Sequence, residues 1–384
     1  MNNKVMIVAG EASGDLHGAR LVTAMLARQP ELSFSGMGGR EMTAAGVDLL
    51  FEARKIAVVG LAEVVSHLPD ILAARKTLRD TLQRERPALL ILIDFPDFNL
   101  MLAAFAKKLS IPVFYYISPQ VWAWRPGRVK TIAERVDRLG VILPFEEGFF
   151  RSRGLAADYV GHPLLDSVRT TCSPEEFCRA YDIDSESLCV GLLPGSRKKE
   201  IASLLPILLQ TAARLQEKSP KKIVFLIPVA STITVEEIRE NGLREFGQGL
   251  DLRLVEENRY DMMAACHAAV VVSGTVTLEM ALLDTPMVVI YKVSAGTYYL
   301  GRMLISKELK YFSLVNLIAD GEVVPELFQS EVTPKRVEAE LSAILFDGKK
   351  RTRMLQGLEL VRQRMGEGGA SGRAADLALS LMSL

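Results

Sequence analysis

The sequence predicts an α/β protein built from two doubly wound parallel sheets, and three observations carry that reading. Short runs at Lys4–Ala9, 88–93, 113–117 and Leu188–Leu193 are apolar at nearly every position rather than at alternate ones, the pattern of parallel strands covered on both faces. Helical stretches alternate with these runs, as βα units require. At 384 residues the chain also exceeds one ordinary core, so two domains are expected. We place them at 1–168 and 169–350, with 351–384 as a C-terminal helix.

Composition narrows the function. Basic and acidic residues balance at 46 each, and the pI is about 6.9, so nothing pulls the whole chain toward nucleic acid. A hydrophobic content of 49% suits a well-packed α/β protein. Cys172, Cys178, Cys189 and Cys266 form no CxxC or metal-like spacing and read as reduced, structural thiols of a cytosolic protein. The chain enters a strand within about four residues, without the layout of a signal peptide. No apolar run approaches the roughly 20 residues of a membrane span, so any membrane contact is expected to be peripheral.

In the first half, the strand at Lys4–Ala9 runs into Gly10-Glu11-Ala12-Ser13-Gly14-Asp15 and a helix. The spacing is not GxGxxG, so a dinucleotide site is not supported, yet the glycines let a ligand approach the backbone closely. Further strands are expected at 34–39, 48–51, 138–143 and 159–163. Residues 56–76 crowd Val58, Val59, Leu61, Val64, Val65, Leu68, Ile71 and Leu72 beside Arg75 and Lys76. Two readings stand for this segment: a core helix interrupted by Pro69, or an exposed apolar patch with basic flanks suited to lipid headgroups.

The strand at 88–93 ends at Asp94-Phe95-Pro96-Asp97-Phe98-Asn99. Ligands of open α/β sheets bind at carboxyl ends of strands. One aspartate there can cap the next helix, but two exceed what capping needs, so one is a candidate general base. The DxxD spacing fits Mg²⁺ only with further carboxylates, and none accompany it. After 113–117 comes Ser118-Pro119-Gln120-Val121-Trp122-Ala123-Trp124-Arg125, holding both tryptophans of the chain beside basic residues. Such a loop can pack a sugar or acyl chain, plug a cleft, or stack nucleic-acid bases, the last ranked lowest. His162, before Pro163, reads as a loop histidine with a satisfied hydrogen bond rather than a proton carrier.

The polar stretch at 170–187 is the candidate linker. Beyond it, strands are expected at Leu188–Leu193, Ile223–Pro228, Leu252–Val255, 269–272 and 287–290. Leu188–Leu193 breaks at Pro194-Gly195-Ser196-Arg197 and continues as a helix, an arrangement that aims backbone N–H groups and a positive dipole end at one point. Arg197 adds a planar cation suited to phosphate. Ser273-Gly274-Thr275-Val276-Thr277-Leu278-Glu279 is a second loop of this type, where Glu279 either accepts both hydroxyls of a ribose or is a helix-start acid favoured by the dipole. Residues 313–318 read as a strand-like or turn segment, and Asn316 within it needs buried partners.

Taken in order, GEASGDLHGA (10–19), DFPDFN (94–99), SPQVWAWR (118–125), VGHPLLD (160–166), LLPGSRKKEI (192–201), SGTVTLEMALLDTPMVVIYK (273–292) and SLVNLI (313–318) make the chain resemble the lipid-A-disaccharide synthase family, glycosyltransferase family 19. The resemblance spans nearly the whole chain. It implies a GT-B fold, two Rossmann-like doubly wound parallel-sheet domains facing a cleft, with the C-terminal helix of 351–384 crossing back to the first. It implies an inverting, metal-free transfer of 2,3-diacylglucosamine from its UDP donor to 2,3-diacylglucosamine 1-phosphate, forming a β-1,6-linked disaccharide 1-phosphate and UDP, with no cofactor. By position, Asp97 matches the aspartate proposed as catalytic base, and Arg197, Glu279 and Asn316 match donor-side residues. Family members attach peripherally to the cytoplasmic face of the inner membrane through the first domain, and domain-swapped homodimers occur among them.

The expected site follows. Asp97 takes the acceptor proton. Gly195, Ser196, Arg197, Ser273, Gly274, Thr275, Glu279 and Asn316 hold the UDP-sugar. Glu11, Ser13, Gly14, Asp15, Ser118 and Trp122 form the acceptor side, and Val64, Val65, Leu68 and Leu72 face the membrane. Fixed donors at two helix starts replace a metal in stabilising the leaving diphosphate. Rival readings are a UDP-GlcNAc 2-epimerase, a lipid II-type GlcNAc transferase, or a nucleotide-sugar-binding regulatory protein without turnover.

Overall fold

The computed structural model describes residues 2–56, 68–124, 126–230, 232–293 and 310–382. The chain divides into two compact units, Met1–Asp166 with Glu367–Leu384, and Ser167–Gly366.

The first unit holds a seven-stranded sheet. Its strands are β1 (Lys4–Ala9), β2 (Ser33–Gly38), β3 (Val47–Glu52), β4 (Leu89–Ile93), β5 (Val113–Tyr116), β6 (Arg138–Val141) and β7 (Ala157–Tyr159). All pairings are parallel, in the order β3-β2-β1-β4-β5-β6-β7. Alternate residues of each strand feed opposite faces. Met6, Val8, Leu90, Leu92 and Tyr115 join one apolar cluster, while Val5, Ile7, Leu89, Ile91, Ile93, Phe114 and Tyr116 join the other. This is why the strands read as continuous apolar runs. Each fully buried Leu or Ile contributes about 1.5–3 kcal/mol relative to exposure.

The strand expected at 159–163 lies earlier, at β7. Gly161 turns the chain at φ +86°, and Arg373 Nε donates to the Val160 carbonyl at 2.8 Å. Arg373 belongs to the Ala370–Met382 helix, whose Ala374, Ala375, Ala378 and Leu381 pack with Leu21, Val22 and Met25. Asp166 accepts from the Gly369 N–H at 2.6 Å, and Arg28 pairs with Asp376 at 2.5 Å. The return to the first unit therefore begins at Glu367. The preceding Gly348–Met365 helix stays with the second unit, where Arg351 donates to the His267 carbonyl and Arg364 to that of Ile318.

The second unit holds a six-stranded parallel sheet of β8 (Leu188–Leu193), β9 (Ile223–Pro228), β10 (Leu252–Val255), β11 (Ala268–Val272), β12 (Met287–Tyr291) and β13 (Glu326–Phe328). Its order is β10-β9-β8-β11-β12-β13. The 170–187 stretch is docked rather than a free linker. It forms a helix at Pro174–Ala180, and the Asp261 carboxylate accepts from the Thr171 N–H and hydroxyl, both at 2.6 Å. Residues 313–318 form no strand either. Ser313 Oγ accepts from the Asn316 N–H and caps a helix at Leu314–Ala319, a local bond that outweighs the β-preference of the Val and Ile in it.

Candidate functional site

In each sheet the chain reverses its direction of growth at one point, and the loops 10–15, 94–99, 194–197 and 273–275 emerge there. The first reversal lies between β1 and β4, the second between β8 and β11. Crevices beyond the carboxyl ends of strands at such reversals are where open α/β sheets bind ligands.

Beyond β1 and β4 the loops 10–15 and 94–99 pack together. A Cβ on Gly10 would lie 2.4 Å from Phe95 Cγ, so only glycine lets that ring lie on the backbone. Asp94 and Phe95 both sit in the left-handed region, at φ +44° and +48°, a conformation that costs about 1–3 kcal/mol each. The strain is held by the Tyr115 hydroxyl, which donates to the Asp94 carbonyl at 2.5 Å, and by the buried Asn99 amide, which donates to the Asp94 and Ile93 carbonyls at 2.7 and 3.1 Å. The turn re-aims the chain so that the Pro96–Lys108 helix starts at once, with Asp97 in its first turn.

The Asp97 side chain is 78% exposed and accepts from Arg128 Nη2 at 2.6 Å. Asp94 is more enclosed; burial raises its carboxyl, Glu11 adds to the rise, and the Phe95 N–H opposes it. Glu11 and Ser13 are exposed, and Gly14 packs against Ala9 and Ile93. Asp15 has a different employment. Its buried carboxylate accepts from the N–H groups of Gly39, Glu41 and Met42 at 2.6, 3.0 and 3.1 Å, which caps the Arg40–Ala44 helix.

After β5, Ser118 and Trp122 are both buried. The short helix Val121–Trp124 sets the Trp122 ring edge-on to Phe145, 5.0 Å between centroids. Both side chains donate to Glu146, a residue that sequence reasoning did not single out. His162 is buried, and its Nδ1 accepts from the Leu164 N–H at 3.1 Å, as expected of a satisfied loop histidine.

Beyond β8, Gly195 turns the chain at φ +107° and the Lys198–Lys218 helix follows. The donors of this turn already hold an anion. Glu200 accepts from the Ser196 and Arg197 N–H groups at 3.1 and 3.3 Å and from Arg197 Nη1 at 3.0 Å. The Arg197 side chain remains 73% exposed. Beyond β11, a Cβ on Gly274 would meet nothing within 4 Å, so the Ser273–Thr275 backbone stands open. Thr277 Oγ1 donates to the Gly274 carbonyl at 2.8 Å.

Glu279 is buried in the Val276–Leu282 helix. Its Oε1 accepts from Arg259 Nη2 at 2.7 Å and from the Tyr260 hydroxyl at 3.2 Å, two partners with no signal in the sequence. Asn316 lies elsewhere, and its amide is saturated. Nδ2 donates to the Val324 carbonyl and Glu326 Oε1, and Oδ1 accepts from the Val323 and Val324 N–H groups, all at 2.8–3.0 Å. Leu68 and Leu72 are exposed at the start of the Leu68–Glu85 helix, whereas Val64 and Val65 lie outside the described residues.

Comparison with known proteins agrees with this architecture. Residues 5–375 match the family described as Lipid-A-disaccharide synthetase. The chain is 50% identical over 383 residues to the lipid-A-disaccharide synthase of Syntrophus aciditrophicus, covering 100% of this chain and 99% of that one. It is 37% identical to the Coxiella burnetii enzyme of the same name, covering 99% of both. Among solved structures, Acinetobacter baumannii MurG superposes with a TM-score of 0.60 at 12% identity, covering 99% of this chain and 100% of that one. The calicheamicin glycosyltransferase CalG4 gives 0.61 at 12%, covering 100% and 98%. A Neisseria meningitidis UDP-GlcNAc 2-epimerase bound to UDP-GlcNAc gives 0.62 at 11%, covering 98% of each. These last likenesses speak for the two-sheet GT-B fold alone. The epimerase and regulatory readings give way to the full-length family match: the chain belongs to the lipid-A-disaccharide synthase family of glycosyltransferases.

Proposed function

We propose that the chain transfers 2,3-diacylglucosamine from UDP to 2,3-diacylglucosamine 1-phosphate, with inversion and without a metal. The observation that carries this is the placement of the motif loops at the two sheet reversals, carboxylates in one and anion-holding donors in the other.

In this reading the acceptor hydroxyl attacks the anomeric carbon as the bond to UDP breaks. Asp97 takes the hydroxyl proton, held in place by Arg128. A positioned base of this kind contributes about 10²–10⁴-fold. Charge grows on the leaving diphosphate. The Ser196 and Arg197 N–H groups and the Arg197 guanidinium receive it by displacing Glu200. Ser273, Gly274 and Thr275 present open backbone to the donor, and Glu279, fixed through Oε1 by Arg259 and Tyr260, turns Oε2 to the ribose hydroxyls. Asn316, with no donor or acceptor to spare, shapes the donor side by holding 313–326 together. Glu11, Ser13, Gly14, Ser118 and Trp122 line the acceptor side, and Asp15 supports it through the 39–42 backbone.

We assign peripheral contact with the inner membrane to the Leu68–Glu85 helix. Exposed Leu72 adjoins Arg75, Lys76 and Arg79 along a groove of about 360 Å³ that Phe105 also lines, and Leu68 is exposed at the start of the same helix. Among the described residues no helix is long and apolar enough to cross a membrane.

The test is direct. The protein is incubated with UDP-diacylglucosamine and diacylglucosamine 1-phosphate, and disaccharide 1-phosphate and UDP are expected in equal amounts. UDP release without disaccharide, or neither product, rejects the reading.

A further inference from the structure

A fully buried carboxylate with no cation beside it is expensive unless every lone pair is used. Glu146, only 1% exposed and with no cation partner among the described residues, meets that condition. Its Oε2 accepts from the Ile142 and Leu143 N–H groups at 3.2 and 3.0 Å. Its Oε1 accepts from Trp122 Nε1 at 3.0 Å and from the Ser118 hydroxyl at 3.3 Å. Four donors meet the four acceptor sites of one carboxylate.

The donors come from two separate pieces of chain. Ile142 and Leu143 precede the Pro144–Arg151 helix, which follows β6, and Glu146 sits in its first turn. Ser118 and Trp122 belong to the segment after β5. That segment opens under strain, since Ile117 is a β-branched residue at φ +61°. A strained entry persists only where its surroundings fix it. Here the fixing groups are the Ile117 N–H bond to the Gly140 carbonyl at 2.9 Å, the Glu146 carboxylate, and Phe145 against the Trp122 ring.

We propose that Glu146 is the positioning residue of the acceptor-side segment, setting the place of Trp122 and Ser118 without itself touching substrate. This rests on the assignment of that segment to the acceptor. Burial pushes the Glu146 carboxyl up to about 7, against the pull of its donors. The titratable group that faces it, among the described residues, is Tyr159 of β7, itself pushed up to about 12 by burial and so neutral throughout. Protonation of Glu146 forces a rearrangement. The Ser118 hydroxyl can turn and accept, whereas the indole N–H can only donate.

Glutamine is not conservative at this place. With its oxygen toward Ile142 and Leu143, the amide nitrogen meets the indole N–H, donor against donor; the other orientation meets two backbone N–H groups. Glu146→Gln is therefore expected to raise the acceptor KM about tenfold while UDP affinity, read by calorimetry, stays within twofold. Adding Trp122→Phe removes the clashing donor, so the double variant should return to the acceptor KM of Trp122→Phe alone. An acceptor KM unchanged in Glu146→Gln, or a double variant worse than either single, overturns the proposal. A loss of UDP affinity equal to the loss for acceptor marks general unfolding and overturns it as well.

A second measurement needs no turnover and leaves Glu146 in place. In a Trp124→Phe background, Trp122 emission should shift with a midpoint near pH 7, and a flat response from pH 5.5 to 8.5 overturns the proposal. Wild-type product formation is run beside it. Its absence would count against the transferase reading, leaving the emission titration to decide the role of Glu146.

Discussion

At the reversal between β1 and β4 the chain gathers carboxylates, whereas at the reversal between β8 and β11 it gathers donors that carboxylates already occupy. Around the first, Asp94 and Asp97 flank a strained turn pinned by Tyr115 and Asn99, with Glu11 near enough to raise Asp94. Around the second the left-handed positions are Gly195 and Asn258, residue types that visit that region readily, and Arg197 and Arg259 are matched to Glu200 and Glu279. The difference follows from the tasks assigned to each. A group that takes a proton must be aimed, and strain fixes the aim. A site that receives a diphosphate must keep its donors ordered before the ligand comes, and an internal carboxylate does this at little cost.

The sharpest break of this comparison uses one variant from each side. Asp97→Asn should lower kcat by about 10²–10⁴ with donor affinity unchanged. Arg197→Ala should instead weaken UDP binding, by an amount on the order of 1.5–3 kcal/mol for a charged hydrogen bond, read by titration calorimetry. If both variants moved the same constant, the division between the two reversals would fail.

Acid offers the next largest effect. Burial lowers His17 and His162 in the first unit from 6.5 to about 4, with Arg20 assisting for the former and His17 for the latter. A histidine held neutral stabilises the fold above pH 6.5, and that contribution is lost as pH falls from 6.5 toward 4. Each is worth on the order of 3 kcal/mol. Glu146 runs the opposite way. Its raised carboxyl favours the folded state in acid, an advantage that fades as pH climbs from 4.5 to 7. The two histidine losses exceed the Glu146 gain by about 3 kcal/mol on acidification, a fall that the raised carboxyl of Asp94 reduces. In the second unit one histidine, His267, is lowered, by burial with Arg351 and Lys221 assisting, while Asp261 and Glu338 are held below the usual carboxylate range by hydrogen bonds from Thr171 and Lys218 that outweigh burial, so the support of those two carboxylates fails only as pH falls through the lowered values. Amide hydrogen-exchange protection of β1, β4 and β5 in the first unit should therefore fall at higher pH than that of β8, β9 and β11 in the second. Coincident curves would sink this.

The smallest effects test close packing against open backbone. Gly10→Ala drives a methyl into the Phe95 ring and should cost about 1–3 kcal/mol in urea unfolding. Gly274→Ala has free space and should stay within about 0.5 kcal/mol.

The legible part of the fold was its long buried strands, because a parallel strand needs apolar residues on both faces. The three-residue strands β7 and β13 are too short to show a pattern. Residues 313–318 misled because Val, Leu and Ile suit a strand, while the Ser313 cap decides for a helix. At the site, the residues that approach ligand-bearing loops were legible from glycines and acids at strand ends. Their supports were not. Phe145-Glu146-Glu147 reads as an ordinary acidic helix start, and only the β5–β6 pairing brings Glu146 under Trp122. Arg259 and Glu279 are twenty positions apart in a chain with many such pairs. Asp15 and Asn316 were noticed as polar residues in telling places, but their saturation by backbone groups is a property of the folded chain.

The Ala370–Met382 helix completes a core begun at Lys4–Ala9. Ser167–Gly366 is contiguous, so it can finish its own sheet while the ribosome still holds the tail. The earlier-made half must wait for Ala370–Met382 before Leu21 and Met25 are covered. A nascent chain stalled short of Glu367 would thus carry a finished second half and an unfinished first, an order of assembly opposite to the order of synthesis.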